Sequence, residues 1–351
     1  MLDDLKAIKE LDKSGMLDLI YHLPDHCEEA IKIARDSIRG LRFHNIVNVV
    51  ITGLGGSAIG GDLIRMISQD RSVIPILVNR DYTLPAFVDE KTLVIASSYS
   101  GNTEETLASY QEALKRKAKV LVITTGGELK KRALADEVPV ITIPHGLPPR
   151  AALGYSFFPL LVALEEQGIV PRKHFKIEET IKLLKETRDY LYPEVPETDN
   201  PAKLLAKKLH GKLPVIYGVS GVTEIVAVRW KGQLNENAKH PAFFNVFPEL
   251  NHNEIMGYEG DKDLLSKMEI VILRSPDEND RIRKRIDITK SLIEDVVSGV
   301  TEIWPKGESA LERMLYHIIF GDYVSAYLAI LNQKDPTEID FINALKDRLK
   351  S

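Results

Sequence analysis

"VVITGLGGSAIGGDLI", residues 49–64, runs a β-branched strand into a turn and then a helix, with five glycines and one serine in the segment. Such a junction suits phosphate. Glycine lets the backbone come close, and the first amides of a helix carry partial positive charge. Two readings compete. Gly53-x-Gly55-x-x-Ala58 meets the looser dinucleotide fingerprint. That motif also wants an acid closing the next strand about 20 positions on, to hold a ribose. Here the next strand, "VIPILVN", ends in Asn79 and Arg80, and Asp81 falls beyond the usual spacing. The alternative is a cup for a single phosphate.

A second stretch decides between them. In "VIASSYSGNTEETL", residues 94–107, a strand ends near Ala96, and Ser97, Ser98, Ser100 and Thr103 crowd the turn around Gly101 before a helix begins at Asn102–Glu104. Helix capping needs one hydroxyl, with the others left to solvent; four on one loop suit the oxygens of a phosphate. Ser57 stands in a like position on the first turn, so two adjacent strand ends can converge on one anion. No lysine follows as in a Walker loop, which argues against nucleoside triphosphate chemistry. The single-phosphate cup is the better reading.

Outward from these turns the grammar is α/β. "IVNVVITGLG", "VIPILVN", "TLVIASS", "KVLVITTGG" and "VPVITIP" read as strands, separated by helical "AIGGDLIRMISQ", "NTEETLASYQEALKRKA" and "ELKKRALADE". Continuous Val/Ile/Leu runs, without apolar–polar alternation, suit parallel strands covered on both faces. Helices follow through "IEETIKLLKETRDYL", then the Pro/Glu/Thr-rich break "YPEVPETDNPA", which reads as a linker. The pattern then restarts: "PVIYGVSGVTEIVAV" repeats the strand, glycine–serine turn and helix of residues 49–64. The expectation is a duplicated α/β unit: two doubly wound domains, each a mostly parallel sheet flanked by helices. The expected division is 1–155 for the first domain with a helical extension, 156–200 for a connector, and 201–351 for the second domain with a helical tail.

The 351 residues are enough for two domains of ordinary size. A composition 44% hydrophobic and 28% charged is that of a soluble globular protein, and a net charge of −5 gives no general pull toward nucleic acid or anionic membrane. No uninterrupted apolar run approaches the roughly 20 residues that span a bilayer, and the acidic, amphipathic start is no signal peptide. The single cysteine, Cys27, forms no intramolecular disulfide and reads as structural. The expected location is the cytoplasm. The nine histidines are scattered, His240 with His252 being the nearest approach to a ligand pair, so no metal site is expected. Tyr316, Tyr323 and Tyr327 on "MLYHIIFGDYVSAYLAIL" mark a core helix or a dimer face.

With both turns in hand, "GLGGSAIGGD" and "SSYSGNTEET" resemble the sugar isomerase (SIS) fold, and "LPPRAALGYSFFP" and "NENAKHPAFFNVFPELNHNEIMGYE" resemble, more narrowly, the bifunctional phosphoglucose/phosphomannose isomerases. The resemblance runs from about residue 45 to the C-terminus. It implies that Gly55, Gly56, Ser57, Ser98, Ser100 and Thr103 bind a hexose 6-phosphate. It makes Glu236 of "NENAK" the general base, His252 of "NHNE" the ring-opening histidine and Arg150 of "LPPR" the cation near the enediolate. A C-terminal lysine is also implied, matched by Lys346 with Lys334 and Lys350 as alternatives, and Thr337 is the nearest threonine for rotating the C2–C3 bond. Relatives are homodimers in which the histidine reaches across, so His252 is expected to act in trans.

The chemistry fits these residue types. Ring opening needs proton traffic that a near-neutral imidazole supplies, and a carboxylate on one face moves the carbon proton. An arginine keeps its charge beside a developing oxyanion. Asn235 and Asn237 flank Glu236 and are expected to orient it. The scheme needs no metal and no cofactor. The main rival is a non-catalytic SIS-type module that senses a sugar phosphate; it explains the phosphate turns but not the Glu236, His252 and Arg150 set. An amidotransferase needs a glutaminase domain that "MLDDLK" does not open, and an NAD enzyme lacks its ribose acid.

Overall fold

Continuous Val, Ile and Leu runs become parallel strands in the computed structural model, which describes residues 1–171 and 175–349. The chain forms two compact units, His22–Lys182 and Met1–Tyr21 with Leu183–Ser351. The leading helices α1 (Leu5–Leu11) and α2 (Met16–Tyr21) thus group with the C-terminal half.

The first unit contains α3 (Leu23–Ser37), β1 (Asn48–Thr52), α4 (Gly55–Ser68), β2 (Ile76–Asn79), β3 (Thr92–Ser98), α5 (Glu104–Lys115), β4 (Lys119–Thr124), α6 (Gly127–Ala135), β5 (Val140–Thr142), a 3₁₀ turn Pro149–Ala151 and α7 (Leu153–Glu166). Its sheet is all parallel, in the order β2-β1-β3-β4-β5. The chain leaves β1 toward one edge and returns on the other side of it at β3. That switch point is where a crevice opens beyond the strand ends. The register pairs Thr52 with Ala96, so the turns at 53–57 and 97–103 leave the sheet side by side. Every residue of β3 is buried, as continuous apolar runs foretell. Cys27 lies buried in α3, where desolvation raises its thiol pKa well above the ordinary value, as suits a packing residue.

Helix α8 (Ile177–Leu191) leads to the second unit: α9 (Pro201–Leu209), β6 (Leu213–Val219), α10 (Glu224–Glu236), β7 (Phe243–Phe247), 3₁₀ turns Glu249–His252 and Glu254–Glu259, α11 (Lys262–Leu265), β8 (Met268–Leu273), α12 (Asp280–Ile293), β9 (Gly299–Ile303), α13 (Ala310–Leu331) and α14 (Asp340–Leu349). Its parallel sheet runs β7-β6-β8-β9. Matched from β1 and β6, this repeats the order of the first four strands of the other sheet, as a duplicated α/β unit requires. Segment 192–202 lies within this unit, and Asn200 caps α9 by accepting from the amides of Ala202 and Lys203. Among the described residues, α13 is long and apolar enough to cross a membrane by length and composition, but it is buried inside its own unit. Tyr316, Tyr323 and Tyr327 are buried there too, so they are core: Tyr316 meets the Tyr190 hydroxyl at 2.7 Å and Tyr323 stacks on Tyr327.

Candidate active site

Glycines set the spacing of the cup in the first unit. A Cβ on Gly53 would lie 2.6 Å from the Ser97 carbonyl, and one on Gly56 would lie 2.7 Å from the Pro149 carbonyl. Three segments therefore meet at the N-terminus of α4: the ends of β1 and β3, and the 3₁₀ turn that carries buried Arg150. Ser57 Oγ, also buried, accepts the Tyr99 amide at 3.2 Å and so ties the first turn to the second.

The second turn is internally braced. Ser98 Oγ accepts the Gly101 amide at 3.1 Å and pairs with Thr103 Oγ1 at 2.9 Å, while Ser100 Oγ accepts the Asn102 amide at 3.2 Å. Gly101 holds a φ of +70° with its Cα against the Gly126 carbonyl, a place no side chain fits. Thr103 is the N-cap of α5 yet makes no side-chain capping bond. Capping therefore does not account for these hydroxyls. The first turn of α4 holds no acid; Glu104 of α5 is exposed and takes the Tyr82 hydroxyl at 3.5 Å. Tyr99, unremarked in the sequence, is a brace of the cup. Besides its amide bond, its hydroxyl accepts the Leu147 amide at 3.0 Å and its carbonyl takes Thr125 Oγ1 at 2.8 Å. At the end of β2, Asn79 donates to the Asp81 carbonyl and Ser109 Oγ, and Arg80 pairs with Asp62.

In the second unit Glu236 is the last residue of α10 and is half-buried. The helix that carries it is fixed by α13. Trp230 packs on Gly321, whose missing side chain leaves room for the indole, and donates to the His317 carbonyl at 2.8 Å. Asp322 accepts from Arg229 at 2.7 Å and Gln233 at 2.8 Å. Burial pushes the Asp322 carboxyl up against the pull of Arg229. Asn235 donates to the His240 carbonyl at 2.9 Å and Asn237 to Ser325 Oγ at 2.9 Å. The two amides therefore anchor the end of the helix that carries Glu236. Asp322 was also not anticipated, though one acid inside "IIFGDYVSAYL" is the kind of signal that marks a buried pair.

Glu236 lines a cavity of about 640 Å³ with Lys239, His240, Lys334, Asp335 and Asp340. That volume suits a small ligand. Thr337, Lys346 and His252 are not in its lining. Thr337 lies between the lining residues Asp335 and Glu338 on the loop before α14, Lys346 is exposed on α14, and His252 is exposed at the end of its 3₁₀ turn. Lys350 lies outside the described residues. Both ring nitrogens of His240 are engaged, one by the Lys212 carbonyl and one by Asn332. No group of three or more His, Cys, Asp or Glu side chains gathers as a metal site among the described residues.

Two protein-family models match the chain: the SIS domain over residues 43–141, and the bacterial phospho-glucose isomerase C-terminal SIS domain over 198–349. A bifunctional phosphoglucose/phosphomannose isomerase of Caldicellulosiruptor bescii is 54% identical over 334 residues, 95% of this chain and 98% of that protein. One of Thermoplasma acidophilum is 38% identical over 93% of this chain and 99% of its own. In fold, the chain is similar to a solved hypothetical protein of Thermus thermophilus, with a TM-score of 0.74 and 16% identity over 98% of this chain and 93% of that one.

Proposed function

Because the chain belongs to the family of bifunctional phosphoglucose/phosphomannose isomerases, it is an aldose–ketose isomerase, and we propose that it interconverts glucose 6-phosphate, mannose 6-phosphate and fructose 6-phosphate. The observation that carries this reading is the braced hydroxyl cup at the β1/β3 switch point. The hydroxyls of Ser57, Ser98, Ser100 and Thr103, with the backbone at Gly55 and Gly56, hold the phosphoryl group. Binding energy gained there positions the reacting carbons.

His252 moves protons at the ring oxygen and the anomeric hydroxyl to open the sugar. Glu236 then takes the proton from C2 and returns it to C1 on one face of an enediolate. Arg150, which keeps its charge, stabilises the oxyanion, and Lys346 assists. Rotation about C2–C3, eased by Thr337, presents either epimer to the same carboxylate. The scheme uses no metal and no cofactor. We read the working enzyme as a cytoplasmic homodimer whose His252 serves the partner's substrate, and the exposure of that histidine supports this.

The test is direct. Chelator-treated protein given fructose 6-phosphate should yield glucose 6-phosphate and mannose 6-phosphate in coupled assays, and Glu236→Gln should lower kcat about 100-fold or more with KM nearly unchanged. Neither product would favour the sensing module; glucose 6-phosphate alone would remove the second activity. An unchanged kcat in the variant would show that the base is another residue.

A further inference from the structure

The motif "NHNE", residues 251–254, is only partly used by that reading, which rests on His252. The other three side chains each have a hold in the second unit. Asn251 Nδ2 donates to Thr289 Oγ1 on α12 at 2.8 Å. Asn253 Oδ1 takes the Glu254 amide at 2.6 Å, and its Nδ2 donates to Glu249 Oε1 at 3.3 Å. Glu254 is held from two strands: the Tyr217 hydroxyl of β6 donates to one carboxylate oxygen and Asn245 Nδ2 of β7 to the other. The Tyr217 hydroxyl also meets that of Tyr258. Tyr217 has a single proton and gives it to the carboxylate, so Tyr258 is the donor between the two phenols.

The two phenols of this clamp are buried. Tyr217 is fully buried in the core beside Phe247 and Leu250, and Tyr258 is buried too. Burial pushes the Tyr217 phenol far above its ordinary range and the Tyr258 phenol up to about 12, so both stay protonated donors at any working pH. His252 differs from its three motif neighbours. It is exposed, and among the described residues no hydrogen bond holds its ring. A side chain placed so must take its aim from the backbone beneath it.

We propose that Glu254 is the positioning residue of this loop: clamped by Tyr217 and Asn245, its carboxylate fixes the backbone that presents His252 to the sugar ring. The proposal rests on the reading of His252 as the ring-opening group. Loop stability alone is the competing account of the same contacts.

Glu254→Gln and Tyr217→Phe, each alone and each combined with His252→Ala, separate the two. Rates are read with fructose 6-phosphate, in single turnover with enzyme in excess where they are slow. Each single variant should lower kcat roughly 10- to 100-fold with KM held within about twofold, since misplacing a reacting group costs rate while the phosphate grip is untouched. In the His252→Ala background the same changes should cost less than about threefold further, because the group they aim is gone. Tyr217→Phe keeps the ring and its packing, so it carries the test if Glu254→Gln misfolds. Near-wild-type kcat in the folded single variants, or an undiminished cost in the His252→Ala background, would overturn the proposal. Wild-type turnover by His252→Ala itself would overturn the catalytic reading of the histidine instead, and the proposal with it.

Discussion

Gly101 is the residue whose replacement most directly probes the cup. Its φ is +70°, and alanine in that region costs roughly 1–2 kcal/mol. An added Cβ would stand 1.9 Å from the Gly126 carbonyl oxygen, 2.8 Å from its carbon and 2.9 Å from Thr124 Oγ1. Those neighbours are backbone, or a side chain already bonded to the same carbonyl at 3.0 Å, so relief requires the loop to shift by about an ångström. That shift strains the Gly101 amide bond to Ser98 Oγ at 3.1 Å and the Leu129 amide bond to the Gly101 carbonyl at 2.9 Å. At about 1 kcal/mol for each bond lost, Gly101→Ala should cost about 3–4 kcal/mol. Gly40 is the matched control. Its φ is +77°, but nothing lies within 4 Å of its added Cβ, so alanine there should cost only about 1–2 kcal/mol. Urea denaturation of the two variants measures the difference, and KM for fructose 6-phosphate measures its local meaning. Gly101→Ala should raise KM about tenfold or more, since the loop that moves carries Ser100 and Thr103, while Gly40→Ala leaves it unchanged. Equal stabilities, or an unchanged KM in Gly101→Ala, would refute the reasoning.

Two predictions concern buried charge. Desolvation lowers the pKa of fully buried His317 to about 4 from 6.5, with its Nε2 on the Arg274 carbonyl and its Nδ1 unpartnered among the described residues. Below about pH 6.5 the unfolded chain therefore takes up a proton that the folded chain refuses. Stability should fall as pH drops from about 6.5 to about 4, by up to about 3 kcal/mol, and be fully present above that window. Urea midpoints across it should be flatter for His317→Asn; equal slopes would remove the claim. Lys203, fully buried, donates to Asp3 at 3.0 Å and to the Pro193 and Val195 carbonyls at 2.7 and 2.8 Å. Lys203→Met strands both carbonyls and should cost about 3 kcal/mol, with Asp3→Asn costing markedly less because that carboxylate is half-exposed; parity between the two by denaturation would contradict this.

How far the sequence reveals this molecule depends on where each residue gets its information. The inner strands of the first sheet were legible because a strand covered on both faces carries a continuous apolar run, as Leu93 to Ala96 do within β3, which is buried along its whole length. Edge strand β7 was not, because Phe243 and Phe244 are both exposed and "FFNVF" carries neither alternation nor a continuous buried run. Helix α9 hid behind a proline-rich stretch that composition reads as linker; Asn200 followed by Pro201 was its local signal. The grouping of residues 1–21 with the C-terminal half depends on contacts such as Asp3 with Lys203, far apart in sequence, which no local pattern encodes. The same division holds at the site. Hydroxyl-rich turns declare themselves locally, whereas the supports of Glu236, Asp322 above all, lie on another helix. In α14 no described residue is buried, so packing gives Lys346 no fixed address.

The duplicated topology raises one further question: which repeat grips the anion. In the second unit the turn after β6 corresponds to the cup, with Ser220 and Gly221 in place, and Gly221 has a φ of +72°. That turn is already satisfied. Ser220 Oγ and the Gly221 amide both donate to Glu224 Oε2 at 3.2 Å, so a carboxylate of the chain itself sits where an anion would. An incoming phosphate would have to displace Glu224 and then bear its repulsion, whereas the first turn of α4 carries no acid, and Glu104 and Glu105 in the first turn of α5 leave the cup's serines bonded only to uncharged partners. The two repeats should therefore differ in how much the loss of turn hydroxyls weakens substrate binding. Ser100→Ala with Thr103→Ala should raise KM for fructose 6-phosphate about tenfold with kcat little altered, and Ser220→Ala should leave KM within about twofold of wild type. The paired measurement separates a phosphate grip from a general need for intact strand-end turns. A comparable rise in both variants would mean that the carboxylate of Glu224 does not keep substrate out and that the asymmetry between the repeats has no bearing on binding.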